Sequence, residues 1–191
     1  MTGTRSGRSR ILTVPNLVSF LRILLVPLFW WVLLGGRPTA AALILVVMGV
    51  TDWLDGWLAR RLDQVTDLGT FLDPVGDWLM MGSAVLGGMV EMLLPFWAGA
   101  VILSRSVVVG LWSGWMTARR SALEVRRSGK AAITFLYVAI PLFYFSADLS
   151  GAFGAVLDAI AWVAVVVGTG LYWWSGVLYL RDGLASIREK R

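Results

Sequence analysis

Four aspartates at helical spacing are the residues of this sequence best suited to chemistry. Asp52 and Asp55 are three residues apart, Asp73 and Asp77 are four residues apart, and the segments around them are strongly apolar. Either spacing places two side chains on one face of a helix. Mg²⁺ and Mn²⁺ prefer oxygen ligands, and two such ions can share a carboxylate cluster. The pattern therefore predicts a carboxylate-lined metal site.

The composition limits the other chemistry that the chain can perform. It contains no cysteine and no histidine. Disulfides, thiolate nucleophiles, cysteine-ligated zinc and imidazole bases or ligands are therefore excluded. Acid–base or metal chemistry has to depend on carboxylates, with lysine and arginine as the only cationic side chains.

Carboxylates in an apolar environment need a compensating cation. Insertion of one aspartate at the centre of a membrane helix costs roughly 2.5–3.5 kcal/mol, so four would cost on the order of 10 kcal/mol before their mutual repulsion is counted. Bound divalent metal ions would supply that compensation. A cation or proton pathway also uses intramembrane carboxylates, and the spacing alone does not separate the two interpretations.

The residues between the aspartate pairs add features of a phosphate site. Gly56, Ala59 and Gly69 are small and allow a ligand or a backbone to approach closely. Arg60 is a cation suited to phosphate oxygens. Together with metal ions, these residues indicate a pyrophosphate substrate.

The composition predicts an all-α polytopic membrane protein. The chain has 191 residues, of which 58% are hydrophobic, and its mean hydropathy is +0.74. Its apolar runs have the length of membrane spans. We predict one six-helix domain over 14–182, between basic tails at 1–13 and 183–191. The predicted transmembrane helices cover residues 16–34, 39–61, 70–92, 96–117, 131–146 and 153–180.

The distribution of lysine and arginine predicts the orientation in the cell membrane. These residues cluster in the N-terminal tail, after the second and fourth helices and at the C-terminus, whereas the opposite side has only Arg37. Positive loops remain cytoplasmic, so both termini and the aspartate segment should face the cytoplasm. Asp63 and Asp67, between the second and third helices, are interpreted as helix caps or loop residues in water.

The aspartate segment resembles the signature of the CDP-alcohol phosphatidyltransferases. DWLDGWLAR (52–60), eight residues and GTFLDPVGD (69–77) match every fixed position of DxxDGxxAR and GxxxDxxxD. VPNLVSFLRILLVP (14–27) is similar to the start of the first helix in phosphatidylglycerophosphate synthases and actinobacterial-type cardiolipin synthases. SGKAAITFLYVAIPL (128–142) resembles the start of their fifth helix. The resemblance covers most of the chain and implies six membrane helices with cytoplasmic termini.

The resemblance also implies a reaction and the residues that perform it. A phosphatidyl group would pass from CDP-diacylglycerol to a glycerol-type acceptor, with release of CMP. By motif position, Asp52, Asp55, Asp73 and Asp77 would hold two divalent ions, Mg²⁺ or Mn²⁺, and Asp77 would be the catalytic base. The residues expected to bind the CDP-lipid are Asp55, Gly56, Ala59, Arg60 and Gly69.

Two basic residues are candidates for binding the acceptor. Arg105 lies midway along an apolar helix, where an arginine is seldom without a role, and Lys130 begins the fifth helix. Relatives with phosphorylated acceptors keep basic residues at these places. An ion pair between Arg105 and an aspartate is the alternative. Glycerol 3-phosphate is the favoured acceptor, and phosphatidylglycerol, which would make the enzyme a cardiolipin synthase, is the alternative acceptor.

Two other classes of function compete with the enzyme. A cation- or proton-coupled carrier would use the intramembrane carboxylates for transport, and a non-catalytic relative would only bind nucleotide-lipid. A degenerate relative is expected to lack a motif aspartate, and none is missing here. The resemblance further implies a membrane-embedded homodimer, because the family is commonly dimeric, with no nucleic acid among its partners.

Overall fold

The structure is a computed structural model, which describes residues 13–62, 66–118 and 127–189. These residues form six α-helices and no strand, which confirms the all-α prediction. The helices are α1 (Val14–Leu34), α2 (Pro38–Arg61), α3 (Asp67–Val90), α4 (Phe96–Ala118), α5 (Arg127–Ala147) and α6 (Gly151–Glu189). For some helical residues only the backbone is described. Among them are Asp55, Gly56, Ala59, Arg60 and Lys130.

The helix boundaries follow local sequence signals. Thr13 caps α1, its hydroxyl oxygen accepting a hydrogen bond from the backbone N–H of Asn16 at 3.4 Å. The turn between α1 and α2 contains Gly36 at a φ of 69°, a left-handed conformation that favours glycine. Pro38 is the first residue of α2, where a missing N–H leaves no helical bond unmade.

Helices α5 and α6 extend furthest beyond their predicted ends. Helix α5 begins at residue 127 rather than 131, and α6 continues to residue 189 rather than ending at 180. The predicted boundaries followed the apolar pattern, which marks the part of a helix suited to a membrane. Backbone hydrogen bonding does not require apolar side chains, so a helix can continue into a polar segment.

The chain divides into two compact units, Met1–Ser83 and Ala84–Arg191, with the division inside α3. In the first unit, α1 packs against α2. The buried apolar residues of these two helices are Phe29, Leu33, Ala41, Ala42, Leu45 and Met48. All four motif aspartates belong to this unit, so their arrangement can be described within it.

In the second unit, α6 packs against both α4 and α5. Its buried residues include Ile102 on α4, Leu136 and Tyr144 on α5, and Val165 on α6. The Tyr144 hydroxyl donates a hydrogen bond to the backbone carbonyl of Ala84 at 2.6 Å, which satisfies a buried polar group. Arg105 and Lys130 belong to this unit.

Two helical stretches are long and apolar enough to cross a membrane. They are Asn16–Leu34 and Gly151–Arg181. Pro38–Leu54, Phe96–Trp112 and Ile133–Ala147 are apolar over shorter lengths. Motif aspartates shorten the apolar part of α2 and interrupt that of α3. The six helices are thus established for the described residues, whereas six membrane crossings stay a prediction.

Candidate active site

A row of polar side chains on α1 organises the site. Asn16, Ser19 and Arg22 follow one another at three-residue intervals, which places them along one side of the helix. All three are buried, and Arg22 is 0% exposed. Asn16 contacts Thr66, Ser19 contacts Asp73, and Arg22 contacts both Asp52 and Asp77.

Arg22 links the two halves of the aspartate motif. Its Nη1 lies 2.6 Å from Asp52 Oδ1 on α2 and 3.6 Å from Asp77 Oδ1 on α3. The side chains of Asp52 and Asp77 are 28% and 46% exposed, so both carboxylates remain accessible from one side. Gly76 lies beside the guanidinium, and a Cβ there would be 3.4 Å from Nη1.

Asp73 is held by the same helix. The Ser19 hydroxyl donates a hydrogen bond to Asp73 Oδ1 at 3.0 Å. Asp52, Asp73 and Arg22 all lie close enough to Asp77 to act on it electrostatically. The structure therefore brings together three of the four aspartates predicted from the spacing, and the side chain of Asp55 lies outside the described residues.

Gly69 lies where α1 approaches the start of α3. The Gly69 N–H donates to Thr66 Oγ1 at 2.9 Å, so Thr66 caps the helix. The Thr66 hydroxyl in turn donates to Asn16 Oδ1 at 2.8 Å. A Cβ at position 69 would lie 2.8 Å from Asn16 Oδ1, too close for an unstrained contact. Close packing against α1 is thus one physical reason for a glycine here.

The described carboxylates fit a hard divalent cation in their donor chemistry. Asp77 Oδ1 is buried, has no hydrogen-bond partner among the described residues and lies 3.6 Å from Arg22 Nη1. Within the described side chains, no three acidic groups are arranged to share one metal ion. A shared site would accordingly draw on the fourth motif carboxylate, that of Asp55.

Arg105 is fixed against α6 in the second unit. Its Nε donates to the Tyr172 carbonyl at 3.2 Å, and Nη2 donates to Ser175 Oγ at 3.4 Å. The guanidinium carbon lies 3.7 Å from the centroid of the Tyr172 ring, a cation–π contact. These partners are neutral, so among the described residues the positive charge of Arg105 is oriented without a carboxylate to neutralise it.

Sequence reasoning missed the contribution of α1. Asn16, Ser19 and Arg22 were not predicted as site residues, although all three contact residues of the motif or its helix cap. The signal was present, because these are polar residues at three-residue spacing within an otherwise apolar helix. The spacing by itself does not say which residues lie opposite that face.

Comparison with known proteins gives consistent matches over almost the whole chain. The sequence model of the CDP-alcohol phosphatidyltransferase family matches residues 12–174. The chain is 39% identical to a cardiolipin synthase (CMP-forming) of Streptomyces coelicolor, over 93% of this chain and 85% of that protein.

Two further relatives carry a different name. A CDP-diacylglycerol–glycerol-3-phosphate 3-phosphatidyltransferase of Pseudomonas fluorescens is 34% identical, over 89% of both chains. The protein of the same name from Escherichia coli K12 is 31% identical, over 93% of this chain and 98% of that protein. The matches therefore extend far beyond the aspartate motif.

Proposed function

The chain belongs to the CDP-alcohol phosphatidyltransferase family, and we propose that it transfers a phosphatidyl group from CDP-diacylglycerol to a glycerol-type acceptor, releasing CMP. The observation that carries the proposal is the meeting of Asp52 from α2 and Asp77 from α3 at Arg22. Carboxylates from both halves of the signature thus face one small volume, as a reaction centre requires.

Asp52, Asp55, Asp73 and Asp77 are proposed to hold two divalent metal ions, Mg²⁺ or Mn²⁺. When bound, the ions would stabilise negative charge on the diphosphate and on the departing CMP. The all-oxygen donor set of these four carboxylates supports this assignment. The absence of histidine and cysteine leaves no imidazole or thiolate ligand in the chain.

Asp77 is proposed as the general base for the acceptor. Its carboxylate would take the proton of the acceptor hydroxyl, whose oxygen forms a bond to the phosphorus of the phosphatidyl group. The bond from that phosphorus to the bridging diphosphate oxygen breaks, and CMP leaves with that oxygen. Because the Asp77 side chain is 46% exposed, a hydroxyl can reach it.

The CDP-lipid is proposed to lie along the motif residues between the aspartate pairs. Arg60 would contact the phosphates, since a guanidinium pairs well with phosphate oxygens. Small residues would leave room for the nucleotide. The proposed contacts are Asp55, Gly56, Ala59, Arg60 and Gly69, of which Gly69 has its surroundings described.

We further propose that the chain is a multi-pass protein of the cell membrane, with its active site facing the cytoplasm. The two long apolar helices and the basic loops support this arrangement. A homodimer is proposed from family membership. No nucleic acid is proposed among its partners.

Phosphatidylglycerol is the second candidate acceptor, beside glycerol 3-phosphate. The 39% identity to a CMP-forming cardiolipin synthase favours it, whereas the relatives named for glycerol 3-phosphate are 34% and 31% identical. The difference in identity is small. The two acceptors therefore have to be separated by experiment.

The deciding experiment follows CMP release by the purified protein with CDP-diacylglycerol and Mn²⁺ or Mg²⁺. Each acceptor is added separately, and the lipid product is identified. We expect release to depend on one of the two acceptors and to be lost in EDTA. If neither acceptor stimulates CMP release, the proposal of phosphatidyl transfer to these glycerol-type acceptors is wrong. Ion flux in liposomes without CDP-lipid would then support the carrier function instead.

Arg105 and Lys130 are proposed to bind the acceptor's phosphate. Replacing Arg105 with glutamine should raise the KM for that acceptor by about 10–100-fold, since a charge-assisted hydrogen bond contributes roughly 1.5–3 kcal/mol. The value of kcat should change less. The matched control is Tyr172→Phe, which keeps the ring and carbonyl that contact Arg105 and removes only the hydroxyl near Ser106. An unchanged KM in Arg105→Gln would contradict the assignment.

A further inference from the structure

Arg22 contacts two of the carboxylates that are proposed to bind divalent metal. Its guanidinium is 0% exposed and lies between Oδ1 of Asp52 and Oδ1 of Asp77. These carboxylates come from different helices, and α1 supplies the cation that joins them. The proposed function uses these carboxylates as metal ligands and gives no role to their contact with Arg22.

The buried guanidinium of Arg22 and the partly exposed carboxylates that it contacts depend on one another. Removing one member of such a group leaves an uncompensated charge, which strongly destabilises a protein. The carboxylates also repel each other, so they need a cation whether or not a metal is present. A fixed positive charge 2.6 Å from a ligand oxygen, in turn, repels any metal ion that approaches that oxygen.

We propose that Arg22 is a positioning residue that acts as an internal counter-ion for Asp52 and Asp77 and whose role a bound divalent metal partly takes over. Arg22 holds the two carboxylates together while no metal is bound and moderates metal affinity at the site. The proposal rests on the proposed function only in placing a divalent metal at these carboxylates.

This role makes a prediction that simple packing does not make. If metal and Arg22 compensate the same charges, then loss of Arg22 should matter more when metal is absent than when it is present. By linkage, metal should then stabilise the variant more than it stabilises the wild type. A side chain that only fills space would contribute equally under both conditions.

The test measures Tm of full-length protein in detergent at pH 8, with either EDTA or saturating Mn²⁺. Fluorescence of the eleven tryptophans reports unfolding without any substrate. Arg22→Gln should lower Tm in EDTA by roughly 10 °C and in Mn²⁺ by about half of that or less. Arg22→Lys, which retains the charge, should respond to Mn²⁺ much as the wild type does.

The matched control is Leu33→Ala, which removes a buried side chain from the same helix without touching a carboxylate. It should lower Tm equally in EDTA and in Mn²⁺. If Arg22→Gln also lowers Tm by the same amount in EDTA and in Mn²⁺, the counter-ion role is wrong. It is also wrong if Mn²⁺ raises the Tm of Arg22→Gln less than it raises the Tm of the wild type. The latter result would mean that Arg22 mainly prepares the ligands for metal.

A double variant keeps the test decisive if Arg22→Gln does not fold in EDTA. Arg22→Gln/Asp52→Asn removes one positive and one negative charge together, and it should be more stable in EDTA than Arg22→Gln alone. Equal or lower stability would overturn the proposal. None of these measurements uses CDP-lipid or acceptor, so their failure is distinguishable from failure of the CMP-release experiment.

Discussion

Replacing Asp77 with asparagine should abolish CMP release while leaving the protein folded. A positioned general base contributes about 10²–10⁴-fold to a rate, and loss of a metal ligand would add to that. Asparagine is nearly isosteric and keeps a polar side chain near Arg22. The ion pair between Arg22 and Asp52 at 2.6 Å does not depend on the substituted residue. We therefore expect a rate at least about 10²-fold lower.

Two measurements separate lost chemistry from lost structure. Tryptophan fluorescence should show a folded Asp77→Asn protein, and CMP release should be compared at saturating CDP-lipid and acceptor. Asp158→Asn is the matched control, because it neutralises a partly exposed carboxylate on α6, outside the motif. The control should retain wild-type activity. A folded Asp77→Asn enzyme with nearly normal activity would remove Asp77 as the base.

Gly69→Ala should destabilise the first unit and lower activity with it. The added Cβ would lie 2.8 Å from Asn16 Oδ1 and 3.1 Å from Thr66 Oγ1, both part of the hydrogen-bonded cap of α3. Overpacking of this kind typically costs about 1–3 kcal/mol. Since α3 carries Asp73 and Asp77, a shift at its start also moves the carboxylates. We expect Tm to fall by roughly 3–10 °C.

Gly82 provides a matched control on the same helix. Apart from its chain neighbours and its own helix backbone, no described atom lies within 4 Å of a Cβ built there, so Gly82→Ala should be neutral or stabilise α3 by up to about 1 kcal/mol. A second variant tests the cause directly. In Asn16→Ala/Gly69→Ala the clashing oxygen is absent. The loss of stability in this double variant should be smaller than the sum of the losses in the two single variants. Additive losses would show that Asn16 is not the obstacle.

Much of the site could be predicted because it is encoded locally. Spacings of three and four residues place Asp52, Asp55, Asp73 and Asp77 on helical faces whatever the helices pack against. Apolar runs and the Gly-Gly and Pro signals between them gave the helices to within a few residues at most ends. The largest errors were the two ends where a helix continues into polar residues, at 127 and 189.

The contact partners of Arg105 could not be predicted from the sequence. The sequence indicated that an arginine in an apolar helix has a role, and it left an aspartate or an anion as the partner. The structure gives neutral partners on α6, a carbonyl, a hydroxyl and an aromatic ring. Which side chains surround a residue depends on the neighbouring helix, and helical periodicity carries no information about that neighbour.

The sequence by itself determined the all-α class, and it predicted the carboxylates on which the proposed chemistry is centred. Helix formation and the face that a side chain occupies depend on residues within a few positions, so one chain suffices to read them. Only the tertiary structure decided that Asn16, Ser19 and Arg22 of α1 hold the motif in place. Those contacts span about 30 to 55 residues of sequence and depend on how helices pack side by side.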